Sequence, residues 1–263
     1  MKTVSGEPPT AATQLLRRFK DNVPLTPDEL PVVREIGWEI RSVRRRQAIL
    51  TEGSKNRAVY FVVDGFLIRY RILRDGQRQI VDLALPGDFA GVPSCFFMDA
   101  LYTIKALTDA TVAVVPLEKL VGLFETHPRL AAKIFWSFSC DAAIHAEHLI
   151  VVGRRSAHER IAHFLLELLT RLQAVGLADE NSFELPLSQE IIGDALGLSL
   201  AYVNRTLRRL ADERLVTMKD QKVTINDVEE LAFMADFERS YLKPLPITEF
   251  GVANWSALAE SRA

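Results

Sequence analysis

The chain has 263 residues, 48% of them apolar, enough to bury a sizeable core and to suggest two domains. Charged residues make up 25%, with 32 Lys and Arg against 34 Asp and Glu, and the formal net charge of −2 excludes a wholly basic nucleic-acid wrapper and an acidic disordered chain alike. Any surface for DNA must therefore be local. There is no run of 18 apolar residues, so neither a membrane span nor a membrane partner is expected. Met1 to Thr10 is polar, holds Pro8-Pro9 and has no apolar signal core, so secretion is not expected. Two cysteines, Cys95 and Cys140, are too few for a disulfide framework, a Cys-rich zinc site or a four-cysteine iron–sulfur cluster. The expectation is a cytoplasmic protein.

Residues 1–25 read as a loose tail with a short amphipathic segment from Gln14 to Phe19. Thr26, Pro27 and Glu29 then match a capping box with proline at the first helical position. From about Trp38 to Val115 the hydrophobic period is two. Ala58 to Val63 is an apolar run ending in Asp64-Gly65. Phe66, Ile68, Tyr70 and Ile72 share a face in the next run, which ends in Asp75-Gly76. Val81, Leu83 and Leu85 share one in the third, which stops at Pro86-Gly87. Asp-Gly between alternating runs predicts hairpins with type I′ turns, and the turn spacing predicts an antiparallel sandwich or barrel.

From His127 the period returns to 3.6, and Pro128 to Gly153 reads as one long helix. Ala131, Phe135, Phe138, Ala142, His145, Leu149 and Val152 recur at alternating steps of four and three, a heptad-like stripe. Such a stripe suits a dimer seam; the plainer alternative is a helix packed on its own sheet. Gly153-Arg154-Arg155-Ser156 is the expected domain boundary and hinge. A further helix is predicted over 157–172, with Ile161, Phe164, Leu165, Leu168 and Leu172 apolar.

Residues 187–210 carry the most information. Ser188 can cap a short helix from Gln189 to Leu196, Gly197 supplies a left-handed turn, and Ser199 caps a second helix to about Glu213. Gly193 is small where the helices would cross, and Leu196, Leu198, Val203, Leu207 and Leu210 point into a shared core. This is the pattern of a helix-turn-helix. The outer face of the second helix then carries Leu200, Ala201, Asn204, Arg205 and Arg208, flanked by Arg209, with no acid before Asp212. Arginine fits the O6/N7 edge of guanine, asparagine that of adenine, and a small side chain can meet a thymine methyl. A solvated cationic face would ordinarily interleave acids at i±4. Two short alternating runs follow, with Lys219 and Lys222 placed like phosphate contacts at the tip of a wing.

These residues carry a resemblance. The segment Leu187 to Leu207, together with Gly53, Gly65, Gly76, Gly87 and Gly91 at spacings of 12, 11, 11 and 4, resembles the cyclic-AMP receptor protein / fumarate-nitrate regulator (CRP/FNR) family of bacterial transcription factors over residues 30–235. The resemblance implies an α+β chain: an N-terminal antiparallel β-roll of the cyclic-nucleotide-binding, jelly-roll type, a long dimerisation helix and a C-terminal winged helix-turn-helix. It divides the chain into 1–25 (tail and short helix), 26–126 (sensor roll), 127–153 (dimerisation helix), 154–240 (DNA-binding domain) and 241–263 (extension). It further implies a homodimer on a two-fold operator in double-stranded DNA, with RNA polymerase as a partner and a signal relayed from roll to recognition helices through the Gly153 hinge. The family match places Ser188, Gln189, Ser199, Leu200, Ala201, Asn204, Arg205, Arg208, Arg209, Lys219 and Lys222 at the DNA. A docking module whose helix-turn-helix binds protein is the rival reading.

Departures from the family pattern bear on the signal. Val92 stands where nucleotide-binding members have glutamate for the ribose, and Tyr102-Thr103 where they have an Arg-Ser or Arg-Thr pair for the phosphate. Losing that arginine removes the charge-assisted partner of an anion, so cyclic AMP is not the expected effector. None of residues 1–50 is cysteine, which argues against an iron–sulfur sensor. Val92, Tyr102, Thr103 and His145 are the effector-pocket candidates. No cofactor is predicted, although His145 and His148 at i, i+3 leave haem or metal ligation open beside the plainer reading of polar residues in a hydrated seam. Cys95, amid Phe96, Phe97 and Met98, reads as buried rather than as a redox switch. Enzyme motifs are lacking: there is no Gly-rich phosphate loop, HExxH, Gly-x-Ser-x-Gly or paired helical carboxylates. Arg41, Arg44, Arg45 and Arg46 read as a solvated strand edge.

Overall fold

The computed structural model describes Leu15 and residues 17–19, 24–36 and 38–243. Leu15 and Arg17 to Phe19 are helical; Leu15 and Phe19 are buried. The extension beyond residue 243, with Phe250 and Trp255, lies outside the described residues. Helix α1 (Glu29–Glu35) starts later than the capping pattern predicts. The Glu29 carboxylate does accept the Thr26 N–H (2.7 Å), but it is buried and also paired with Lys133, so tertiary contact takes over the cap.

Eight strands follow: β1 (Glu39–Val43), β2 (Ala48–Leu50), β3 (Ala58–Asp64), β4 (Leu67–Ile72), β5 (Arg78–Ala84), β6 (Phe89–Ala90), β7 (Thr103–Ala106) and β8 (Ala110–Pro116). They form two four-stranded antiparallel sheets, ordered β1-β8-β3-β6 and β2-β7-β4-β5. Strand β3 is apolar from Ala58 to Val63 because both its faces are covered there, and it ends in exposed Asp64. Tyr60 and Val62 fill the space between the sheets, while Val59, Phe61 and Val63 meet Leu120, Leu123, Leu130 and Ile134 of the helices that follow. The arginine cluster lies on edge strand β1 and the turn after it, exposed, with Arg41 paired to Glu39 at 2.8 Å.

The two Asp-Gly pairs differ from expectation. Asp64-Gly65 joins no hairpin but turns the chain from one sheet to the other, and a Cβ on Gly65 would lie 2.4 Å from the Asp109 carbonyl. Asp75-Gly76 does close the β4–β5 hairpin, yet only Gly76 has positive φ (83°), which fits a type I turn with a glycine bulge rather than type I′. The β4–β5 register also slips between Arg69 and Tyr70, leaving Val81 as the extra residue. Ile80, Leu83 and Leu85 are buried where strict alternation predicted Val81, Leu83 and Leu85.

Helix α2 (Leu117–Thr126) leads into α3 (Pro128–Arg154), whose 27 residues span about 40 Å. Gly153 and Arg154 are still helical, and the break falls within the expected Gly153–Ser156 linker, at Arg155 (ψ 149°), after which Ser156 and Glu159 form a reciprocal capping box that starts α4 (Ala157–Ala174). The C-terminal unit continues with β9 (Ser182–Glu184), α5 (Gln189–Leu196), α6 (Leu200–Asp212), β10 (Val216–Lys219), β11 (Lys222–Ile225) and α7 (Val228–Ala235). Its core, built on Ile161, Leu165, Leu168, Ile192, Val203 and Leu210, is continuous with Ile68, Ile80 and Leu83 of the roll. No helix among the described residues is long and apolar enough to cross a membrane.

Candidate nucleic-acid interface and sensor cavity

Helices α5 and α6 are set by local chemistry. Ser188 Oγ accepts the Ile191 N–H (3.3 Å) and Ser199 Oγ that of Tyr202 (3.4 Å), so both serines serve as N-caps. Gly197 closes α5 with φ 64°. A Cβ on Gly193 would lie 2.6 Å from the Leu198 carbonyl, so only glycine permits this crossing. Val203, Thr206 and Leu210 are buried beneath α6; Leu200, Ala201, Tyr202, Arg205 and Arg208 are exposed above it.

The expected face is thus largely assembled, with corrections in detail. Asn204 is half-buried and donates to Gln189 Oε1 (3.1 Å), tying two of the anticipated contact residues to each other. Arg209, at the flank of the face, is turned to Glu213 at 2.7 Å, one of the acids that follow the cationic stretch. Tyr202, which the sequence reading passed over, stands 53% exposed with the Arg205 guanidinium 4.9 Å above its ring. Its place one helical turn before Arg205 and Thr206 was the available signal. Asp220 and Gln221 both have positive φ (51° and 63°), so the type I′ turn occurs here, at the wing tip. Lys219 is exposed, whereas Lys222 lies 3.4 Å from Asp179.

Along α3 the stripe divides. Phe135, Ala142 and Leu149 are exposed, with Phe135 and Leu149 at 64% and 77%. Ala131 is buried in the chain's own core, and Phe138 packs edge-on against Phe89 (5.2 Å). His145 and Val152 are half-buried. The exposed column therefore runs through Phe135, Ser139, Ala142, Ala146, Leu149 and Gly153, one residue round the helix from the expected stripe at alternate steps.

Between roll and α3 lies a cavity of about 150 Å³, bordered by Val92, Phe89, Phe138 and His145. A larger one, about 600 Å³, extends from Tyr102 and His145 past β5 to α4 and α5. Thr103 borders neither; its hydroxyl accepts the Glu52 N–H (3.1 Å), because the β7 register points it to the opposite side. The loss of the family arginine does not leave the region without cations. Arg69, opposite Asp82 in the bulged hairpin, reaches in from β4 and donates to His145 Nε2 (2.6 Å) while lying 3.7 Å from Asp82. Arg171, from α4, bonds Asp88 (2.6 Å), Glu167 (3.1 Å) and the Leu83 carbonyl (3.0 Å). Arg18 bridges Asp88 and Asp141. The sequence offered one readable sign of this network, Glu167 and Arg171 at i, i+4 amid leucines.

Burial and neighbours set the charge states. Burial would raise the Glu167 carboxyl, but His148 at 2.9 Å and Arg171 more than reverse this and hold it at about 2. Burial depresses His145, which as acceptor from Arg69 is neutral at Nε2. It opposes protonation of His148 too, yet Glu167 outweighs it and raises that imidazole. Desolvation lifts Asp141 to about 6. The Nε2 atoms of His145 and His148 thus face protein partners, not a shared ligand. Among the described residues no cluster of three or more His, Cys, Asp or Glu could hold a metal ion. Cys95 is buried, accepts from the Asn56 amide (3.2 Å) and donates to the Ala58 carbonyl (3.1 Å), and desolvation pushes its thiol to about 11, far from a reactive thiolate.

Comparison with known proteins draws the two halves together. Residues 40–127 match the cyclic nucleotide-binding domain and residues 159–234 the Crp-like helix-turn-helix domain. The chain is 33% identical over 193 residues to the nitrogen fixation regulation protein FixK of Bradyrhizobium diazoefficiens, covering 71% of this chain and 78% of the relative. It belongs to the CRP/FNR family of transcriptional regulators. Regulatory protein HlyX of Actinobacillus pleuropneumoniae is 28% identical over 207 residues, 79% of this chain and 86% of that one. The solved structure of FixK2 from Bradyrhizobium japonicum superposes with a TM-score of 0.67 at 28% identity, over 75% of this chain and 96% of the other. This CRP/FNR chain therefore has the α+β fold of roll, long helix and winged helix-turn-helix that the resemblance implied.

Proposed function

We propose that this CRP/FNR protein is a homodimer that reads a two-fold-symmetric operator through α6 and answers to a signal held by the roll that is not cyclic AMP. The observation that carries the DNA reading is the outer face of α6: Ala201, Arg205 and Arg208 lie exposed along one side, and neither arginine has an acidic partner among the described residues. Arg205 is the foremost base contact, with Leu200, Ala201 and Tyr202 beside it; Lys219 contacts phosphate. The column Phe135, Ser139, Ala142, Ala146, Leu149 and Gly153 forms the seam, its small residues allowing close approach. Against cyclic AMP stand Val92 and Tyr102 at the expected ribose and phosphate positions, and the engagement of Arg69 and Arg171 with protein acids. RNA polymerase is the partner on the promoter.

Selection from a random duplex pool, followed by anisotropy titration of the selected site over a salt series, tests the reading. Half-sites about one DNA turn apart, some 34 Å, and affinity falling steeply with salt are the expected outcome. Affinity for no duplex at low salt, alongside salt-insensitive capture of a protein by the same face, would establish the docking module instead.

A further inference from the structure

On α6 the half-buried Asn204 lies between Ala201, one turn back, and Arg208, one turn on, at the edge of the exposed face. Its Nδ2 donates to Oε1 of Gln189, the first residue of α5 (3.1 Å). We infer that Gln189 is a positioning residue: by holding the Asn204 amide nitrogen it fixes the edge that this side chain offers to DNA, so that each half-site carries an adenine read by Asn204. This rests on the proposed operator reading and adds to it one base and the residue that selects it.

An asparagine amide has two N–H donors and one carbonyl acceptor, and rotation about its last bond exchanges their places. With one N–H engaged by Gln189, the other N–H and Oδ1 remain, and neither has a partner among the described residues. Together they form a donor–acceptor edge. In the major groove adenine alone matches both, because its N7 accepts and its N6 amino group donates. Guanine offers two acceptors there, cytosine a donor, and thymine an acceptor beside a methyl. The reversed pairing, with Oδ1 accepting from Gln189, would turn two donors outward and favour guanine. A side chain held in place before binding also loses less freedom when the duplex arrives.

The helices do not depend on this bond for their contact. Gly193 already meets the Leu198 carbonyl, and Ile192, Leu196 and Val203 share the core beneath. Gln189 starts from a fixed point, since Ser188 Oγ caps its helix by accepting the Ile191 N–H (3.3 Å). Arg205 is braced separately, over the Tyr202 ring. The two readers are therefore held by different partners, and substitutions can separate them.

Selection from a random duplex pool with the parent, Asn204→Ala, Gln189→Met and Gln189→Glu, followed by competition anisotropy with single-base operator variants, tests the inference. The parent should prefer adenine about ten-fold at one position of each half-site, and Asn204→Ala should bring that preference within about two-fold. Gln189→Met keeps the length but has no carbonyl; it should lower the adenine preference at least about three-fold and leave the guanine preference of Arg205 unchanged. Gln189→Glu, which only accepts, should keep the adenine preference while its charge weakens binding to every duplex alike. Equal losses at all positions in Gln189→Met, as from a tie that only supports the fold, would overturn the inference. So would an Asn204→Ala protein that shifts no position or one that had not selected adenine, or a Gln189→Glu protein that loses as much preference as Gln189→Met. Thermal unfolding shows which variants are folded, and the Gln189 pair decides if Asn204→Ala is not. A parent that selects no duplex sinks the regulator reading, whereas an operator indifferent to both Gln189 and Asn204 sinks this inference alone.

Discussion

Arg205 lies at the centre of the exposed face of α6, braced over the Tyr202 ring, while Lys219 is exposed at the wing tip, opposite Lys222. The two differ in what they would read. Arg205→Ala is expected to cost about 1–3 kcal/mol of operator affinity and relax preference at one base pair per half-site, whereas Lys219→Ala should weaken all duplexes alike and lower the salt slope by about one. Competition anisotropy with single-base operator variants separates them. His163 carries a different prediction. It is 1% exposed, edge-on to Phe237 (4.9 Å) and stacked on Tyr241, and burial depresses its imidazole to about 4. Because the folded value lies below the unfolded value of about 6.5, its contribution is complete above pH 6.5 and is lost as pH falls toward 4, by on the order of 3 kcal/mol. Urea unfolding of His163→Phe, which keeps the ring packing, should show a shallower loss of stability between pH 6.5 and 4 than the parent.

At the level of elements, two glycines of the helix-turn-helix do different things. Gly193 permits helix contact: a methyl there would stand 2.6 Å from the Leu198 carbonyl. Gly197 permits a backbone conformation, φ 64°, with nothing closer than 3.9 Å to an added Cβ. Gly197→Ala should therefore cost about 1 kcal/mol. Gly193→Ala must move one helix against the other and should cost more, about 2–4 kcal/mol; thermal unfolding ranks the pair. Helix α3 offers a test of association. Phe135 is 64% exposed on the column assigned to the seam. Phe135→Glu should leave the protomer folded and shift sedimentation from dimer to monomer, because a carboxylate pair would be desolvated in the interface. Sedimentation unchanged by this substitution would place the seam elsewhere.

Across the whole molecule, Asp88 is one of the points where roll and DNA-binding unit are tied, beside the bonds of Arg78 and Gln79 to Asp194. It accepts from Arg18 (2.6 Å) and Arg171 (2.6 Å), and also from the Leu85 N–H at 2.8 Å. A buried ion pair adds little over a hydrophobic replacement, but removing one member leaves the others uncompensated, at about 3–5 kcal/mol. Asp88→Asn should lower the unfolding midpoint accordingly and, by loosening Arg171, raise proteolytic cleavage near Arg155, where the backbone leaves the helix. A midpoint unchanged within error would show that this network is not what unites the two units.

Most of what local rules govern was legible in the residues themselves. The shift of period from 2 to 3.6, the serine caps, the left-handed Gly197 and the inward leucines depend on neighbours within about four positions, so the roll, the long helix and the helix-turn-helix followed from them. Bulges, chain crossings and rotations about a helix axis were not legible. Val81 was displaced by the register slip of its hairpin, Asp64-Gly65 became a corner between sheets, and the exposed column of α3 turned by one residue once Phe138 had packed on Phe89. The sensor cavity belongs wholly to this second kind. Arg69, Asp82, His145 and Arg171 come from four separate elements, and no spacing rule joins residues so far apart in the chain. Only when the sheets and helices close around them does desolvation make each charge demand a partner, and that demand sets their pairing.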